Sequence, residues 1–118
     1  MLKRINFTTV PVKDQSRALD FYTKKLGFKV FTDQTVGKTR WIELQIPGAE
    51  TRLVLHPMAA EASNGLPGLA LLADNVQATY EELRAKGVEF TQPPQKEHWG
   101  EHALFKDSEG NLVLFATG

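Results

Sequence analysis

The stretch Asp14-Gln15-Ser16-Arg17-Ala18-Leu19-Asp20-Phe21-Tyr22-Thr23-Lys24-Lys25-Leu26-Gly27 decides the fold, because it reads as one helix with both ends marked. Asp14 is a good N-cap, since its carboxylate can accept from the unpaired N–H groups of a first turn. Ala18, Leu19, Phe21, Tyr22 and Leu26 fall at helical spacing. Lys24 and Lys25 suit the negative end of the helix dipole, and Gly27 can close the helix in a left-handed conformation. Working outward, residues 5–12 (Ile-Asn-Phe-Thr-Thr-Val-Pro-Val) alternate and are rich in β-branched types, which predicts a strand with Pro11 near its end or at an edge. Downstream, strands are predicted at Phe28–Phe31, Arg40–Ile46 and Arg52–His56, with Pro47-Gly48 turning the chain between the last two.

The same order then recurs. Leu69–Ala73 reads as a strand, Asp74 as the cap of a helix carrying Val76, Tyr80 and Leu83, and Gly87 as its end. Strands at Val88–Thr91, His102–Lys106 and Leu112–Thr117 follow, the last two joined by Ser108-Glu109-Gly110-Asn111. Asp14 to Gly27 and Asp74 to Gly87 each span 13 residues, so the halves match at an offset of 60, although what repeats is structural role rather than residue identity. The expected fold is therefore α+β: a single domain over 1–118 built from two tandem βαβββ modules, about 4–58 and about 66–118. Each module is too small to bury its sheet face alone. A ferredoxin-like fold also alternates strands with two helices, but it needs only four strands and the sequence offers eight. The polar segment Glu61–Gly65 reads as a linker, and the Pro-rich Gln92–Gly100 as an irregular loop of the functional kind.

Composition bounds the function. The chain has 118 residues, 14 Lys+Arg against 14 Asp+Glu, three His and no Cys. Disulfide frameworks and thiolate metal sites are excluded. Zero net charge with both signs interspersed lacks the basic footprint of a nucleic-acid binder and the polybasic face of a membrane-surface protein. No apolar run approaches the ~20 residues of a membrane span, and the start has no signal-length apolar core, so a cytoplasmic protein is expected.

Three groups of residues then carry a resemblance: Val12-Lys13-Asp14 with Ala18-Leu19-Asp20-Phe21-Tyr22 and Leu26-Gly27-Phe28; Ala73-Asp74-Asn75 with Leu83-Arg84-Ala85-Lys86-Gly87-Val88; and the turn Asp107-Ser108-Glu109-Gly110-Asn111. In order and spacing the chain resembles the vicinal oxygen chelate superfamily, which includes glyoxalase I, fosfomycin-resistance enzymes, extradiol dioxygenases and bleomycin-binding proteins. The resemblance covers nearly the whole chain. It implies a curved mixed sheet, or cup, with the helices on its convex side, and a homodimer. It also implies four metal-ligand positions, which fall here at Phe7, Val54, Gly68 and Leu114. None of these side chains has an N or O lone pair to give, so no metal and no cofactor is expected. That argues against the family's metal-dependent lyase, transferase and dioxygenase chemistry, and enzymatic activity stays open with a lean against it.

Period-two alternation from those positions picks out the predicted pocket: Phe7, Arg52, Val54 and His56 from the first module, and Leu114 from the second. For the third strand of each module the offset of 60 adds Arg40, Ile42 and Leu44, matching His102 and Leu104, whereas a bulge near Pro47 would swap in Trp41, Glu43 and Gln45. Trp99 is expected as a rim or lid residue. A mostly apolar surface with few polar groups is the make-up of a small-molecule pocket, and the absence of an acidic cleft points to a neutral or weakly anionic ligand near Arg40 or Arg52. His56, His102 and Glu43 are the candidates for acid–base work should the protein be an enzyme of relocated site. His98 and His102 have His-x3-His spacing, but in an extended chain that separation is too long to chelate one ion. A module with its cup closed by Phe7, Leu104 and Leu114, and no ligand at all, is the third alternative.

Overall fold

The computed structural model describes residues 1–58 and 66–117, so the predicted linker Glu61–Gly65 lies outside the described residues. The chain divides into two compact units, Met1–Ala60 and Glu61–Gly118. The first contains β1 (Phe7–Val12), α1 (Gln15–Asp20) continued by a π-helical turn (Phe21–Lys25), β2 (Lys29–Val36), β3 (Thr39–Gln45) and β4 (Arg52–Pro57). The second contains β5 (Leu69–Leu72), α2 (Val76–Ala85), β6 (Glu89–Glu97), β7 (Gly100–Lys106) and β8 (Leu112–Ala116). Each unit is thus a βαβββ module. Its four strands form a mixed sheet, in the orders β1-β4-β3-β2 and β5-β8-β7-β6, with the first and last strands parallel and the rest antiparallel. Among the described residues, eight strands with two helical segments settle the α+β class and exclude the four-stranded ferredoxin-like rival.

Register assigns the core of each unit. In the first, Val10 pairs with Leu55 and Leu44 with Leu53, which puts these side chains on one face with Val12 and Ile42; all are buried, along with Ala18 and Tyr22 of the helical segment. In the second, Ala103 pairs with Phe115 and Phe105 with Val113 on the helix side. There Tyr80 of α2 meets Phe90 edge-on at 4.7 Å, and Phe90 meets Phe105 and Phe115 at 5.8 and 6.0 Å. Two small sheets, each covered by one short helix, follow from apolar residues at period two on the strands and near four on the helices.

Three sequence expectations need correction. The second helix is capped by Asn75, not Asp74: Asn75 is extended (φ −145°, ψ 107°) and its amide oxygen accepts from Ala78 N at 3.0 Å. In the first unit Asp14 caps as expected, accepting from Arg17 N at 3.0 Å. Cap to closing glycine is therefore 13 residues in the first unit and 12 in the second, and the π turn, with Leu26 N bonded back to Phe21 O, takes up the additional residue. Gly27 and Gly87, at φ 80° and 88°, end both segments in the left-handed region. Second, β6 runs through most of the segment expected to be a loop. It is an edge strand, where proline is tolerated, and Pro93 and Pro94 fall in a register shift between the Gln92–Leu104 and Gln95–His102 pairs. Third, β2 extends to Val36 rather than ending at Phe31 and turns through Gly37-Lys38, with Gly37 at φ 64°.

Candidate functional site

The face of each sheet turned away from its helix carries the candidate residues. In the first unit the pairs Phe7–Arg52, Thr9–Val54, Pro11–His56 and Glu43–Val54 set Phe7, Thr9, Arg52, Val54 and His56 on one face with Trp41, Glu43 and Gln45. Of the two alternations considered for β3, the one through Trp41 and Glu43 therefore faces this side. Arg40 and Ile42 do not: Ile42 is fully buried on the helix side, where the Gln15 side chain of α1 donates to the carbonyls of Arg40 and Leu55 at 2.8 and 3.0 Å. Arg40 itself makes a bidentate pair with Asp33 (Nε–Oδ1 2.9 Å, Nη2–Oδ2 2.8 Å) and donates to Ser16 Oγ at 2.8 Å. That contact holds the Asp33 carboxyl below its usual range and raises the guanidinium further.

On the helix-free face of the first unit, Arg52 is the hub. Its Nε donates to Glu43 Oε1 at 2.6 Å and its Nη2 to Asn6 Oδ1 at 3.1 Å, while the other Glu43 oxygen accepts from Trp41 Nε1 at 2.7 Å. The guanidinium lies 4.1 Å from the centre of the Phe31 ring, and Phe7 and Trp41 meet edge-on at 5.8 Å. The Arg52 and Glu43 side chains are only 19% and 14% exposed, so each needs the other as partner. Chemically this is an aromatic surface with a charge pair closed on itself. Glu43, with both oxygens taken, is poorly placed to serve as a general base. His56 is exposed at the end of β4.

In the second unit, Leu104 pairs with Leu114, Leu114 with Ala70, and His102 with Ala116, which sets His102, Leu104 and Leu114 on one face as expected. His98 and Trp99 form the two-residue turn between β6 and β7, closed by the Glu97–Gly100 pair. The Trp99 ring, half exposed, stacks on His102 at 5.4 Å and 25°. Gly100 makes this turn feasible: it sits at φ 147°, and a β-carbon there would lie 2.6 Å from Thr117 Oγ1, the hydroxyl that accepts from Glu101 N. His102 Nε2 lies 3.1 Å from Gln92 Nε2, and its Nδ1 is sealed from solvent with no hydrogen-bond partner among the described residues.

The divalent ion of the resembling family does not fit these residues. Phe7 and Val54 lie on the helix-free face of the first sheet and Leu114 on that of the second, Gly68 just precedes β5, and no donor side chain stands at any of them. Among the described residues, no group of three or more His, Asp or Glu side chains is arranged to hold a metal. The sequence pattern does not single out Asn6, Phe31 or Gln92 as site residues, and it offers Trp41 only through the alternative face of β3. The neighbours of Asn6 and Phe31 are set by pairing across strands far apart in sequence, and Gln92 sits in a segment expected to be a loop.

The sequence matches the model of the Glyoxalase/Bleomycin resistance protein/Dioxygenase superfamily over residues 4–115. It is similar to the uncharacterized protein YurT of Bacillus subtilis (strain 168), 40% identical over 121 residues that cover 93% of this chain and 95% of YurT. YetH of the same organism, also uncharacterized, is 36% identical over 97% of this chain and 98% of its own. Among solved structures, UcmS2 superposes with a TM-score of 0.88 at 34% identity, covering all of both chains. TnmS3, an antibiotic binding protein from Streptomyces sp. CB03234, superposes with a TM-score of 0.86 at 33% identity, covering 98% of this chain and 96% of its own. No described helix is long and apolar enough to cross a membrane.

Proposed function

This chain belongs to the glyoxalase/bleomycin resistance protein/dioxygenase superfamily, and from that premise we propose that it is a binding protein for a small, largely apolar organic molecule. The observation that carries the proposal is the make-up of the helix-free face of the first unit. Phe7 and Val54 stand where the family places metal ligands, Phe31 and Trp41 extend the apolar surface, and the Arg52–Glu43 pair is internally satisfied. Such a face offers dispersion and ring contacts without a Lewis acid or an unbalanced charge. TnmS3, similar over nearly the full length of both chains, is described as an antibiotic binding protein, and that supports ligand binding over turnover.

The charge state of the ligand follows from the same pairs. Arg40 is engaged by Asp33 and Arg52 by Glu43, so neither guanidinium is left to neutralise an anion. Of the neutral and weakly anionic molecules anticipated near these arginines, neutral ones are favoured. A thermal-shift screen of the purified chain against neutral aromatic metabolites and antibiotics tests this directly. A ligand at 100 times its Kd adds about 2.7 kcal/mol, worth roughly 10 °C or more in Tm for a chain of this size. Stabilisation by Ni, Zn or Mn together with turnover of 2-oxoaldehyde–thiol adducts, and no response to the organic library, would overturn it.

A further inference from the structure

We propose that His102 is the polar anchor of a ligand site on the helix-free face of the second unit: its ring is held with the proton on Nδ1, and that N–H donates to an uncharged carbonyl oxygen of the bound molecule. The proposal deepens the binding function above and rests on it. The proton position follows from a chain of contacts that starts at a group with only one possible role. The Glu97 carboxylate can only accept, and Gln95 Nε2 donates to its Oε1 at 3.1 Å. The Gln95 amide is thereby oriented with its oxygen toward Gln92, whose Nε2 donates to it at 2.9 Å. The same Gln92 nitrogen lies 3.1 Å from His102 Nε2. An amide nitrogen has no lone pair to offer, so the imidazole Nε2 must accept, and the neutral ring carries its hydrogen on Nδ1.

That hydrogen is then the anomaly. Nδ1 is sealed from solvent and no group among the described residues accepts from it, although buried donors in folded proteins are almost always paired. On the same face Leu104 and Leu114 lie in register beside it, while Gln92 and Gln95 of the edge strand stand on the Nε2 side. One oriented donor next to apolar side chains is how small-molecule sites fix the direction of a carbonyl. Reaching Nδ1 requires a covering side chain to give way. Trp99, stacked on the imidazole from a two-residue turn and half exposed, is the ring placed to move.

The test uses the full chain with 15N-labelled histidine and two probes that differ only in a carbonyl, 9-fluorenone and fluorene. Ring 15N spectra of the free protein should show His102 protonated at Nδ1, and Gln92→Leu should let the proton distribute between both nitrogens. The ketone should bind about 2- to 10-fold tighter than the hydrocarbon, the range of one neutral hydrogen bond. His102→Phe should abolish that preference while fluorene still binds. His102→Asn, whose amide N–H stands near the place of Nδ1–H, should keep it; melting curves of both variants show that they are folded. A proton on Nε2 of the wild type, equal binding of the two probes, or a preference that survives His102→Phe overturns the anchor and leaves the binding function standing. Binding of neither probe overturns the anchor, and the binding function is then decided by the library screen.

Discussion

The two units share one strand order and one helix placement, yet no single offset superposes them. The two helix caps lie 61 residues apart and the closing glycines 60. Glu43 and Leu104, equivalent by pairing, are again 61 apart, whereas their partners Val54 and Leu114 are 60 apart. Each slip has a visible cause. The π turn adds a residue to the first helical segment, β6 has two register shifts where β2 has one, and the connection between β3 and β4 is one residue longer than that between β7 and β8. A repeat can thus conserve its faces while its register wanders, because a π turn, a bulge and a turn each absorb one residue without disturbing the strands beyond.

The turns that close the two sheets differ most, and breaking one of them should have the largest effect. Between β7 and β8 the buried Asp107 carboxylate accepts from Glu109 N, Asn111 N and Asn111 Nδ2 at 2.9, 2.8 and 2.9 Å. Between β3 and β4 the work is shared by Ala49 N, bonded to Ile46 O, and Gln45 Nε2, bonded to Ala49 O, while the carboxylate of that turn, Glu50, faces Arg4 at 3.6 Å. Asp107→Ala strands backbone donors that a charged acceptor had satisfied and should cost about 2–4 kcal/mol in urea denaturation. Pro47→Ala in the other turn should cost less than about 1 kcal/mol. Equal losses would mean the carboxylate is not what holds the turn.

Those slips also explain what the sequence made legible and what it did not. Both βαβββ orders, the Asp14 cap and the closing glycines were readable, since each depends on residues within one or two turns of chain. The helix-free faces of β1, β4 and β8 were readable from alternation, and that of β7 from the offset between the halves. The face of β3 was not: Arg40-Trp41-Ile42-Glu43-Leu44-Gln45 alternates cleanly, but which half of the alternation meets the helix depends on the length of the following turn. The uniform offset chose Arg40 and Ile42; the pairing Glu43–Val54 chooses Trp41 and Glu43. Likewise Pro93-Pro94 marks a loop only if the strand is interior, and edge position is a tertiary fact.

A second contrast concerns the ion pairs on the two helix-free faces. Arg52–Glu43 closes at 2.6 Å with both side chains largely covered, whereas Lys106–Glu89 spans 3.8 Å at 48% and 71% exposure. Arg52→Ala leaves a covered carboxylate with Trp41 Nε1 as its remaining partner on this face and should destabilise by about 2 kcal/mol, while Arg52→Met with Glu43→Leu should recover most of that loss. Lys106→Ala should change stability by less than about 0.5 kcal/mol. A double-mutant cycle on Arg52 and Glu43 that returns no coupling would remove the distinction between the two faces.

The smallest effect separates Arg40 from Arg52 and is read by acid titration. Arg40 and Asp33 form a bidentate pair on the helix side of the first sheet, with side chains 31% and 30% exposed; at the equivalent place in β7 stands Glu101, which instead bonds through its backbone to Thr117. The Arg40 hydrogen bonds hold the Asp33 carboxyl below its ordinary value, against the opposing effect of partial burial. A carboxyl depressed in the folded state contributes stability that is complete above its unfolded value and is lost as pH falls through the folded one. Solvent screening at this exposure limits the contribution to about 0.5–1 kcal/mol. Stability of the wild type minus that of Asp33→Asn should therefore be constant near neutrality and shrink as pH drops below about 4. A difference that stays level to pH 2 would mean that Asp33 holds Arg40 by shape and not by charge.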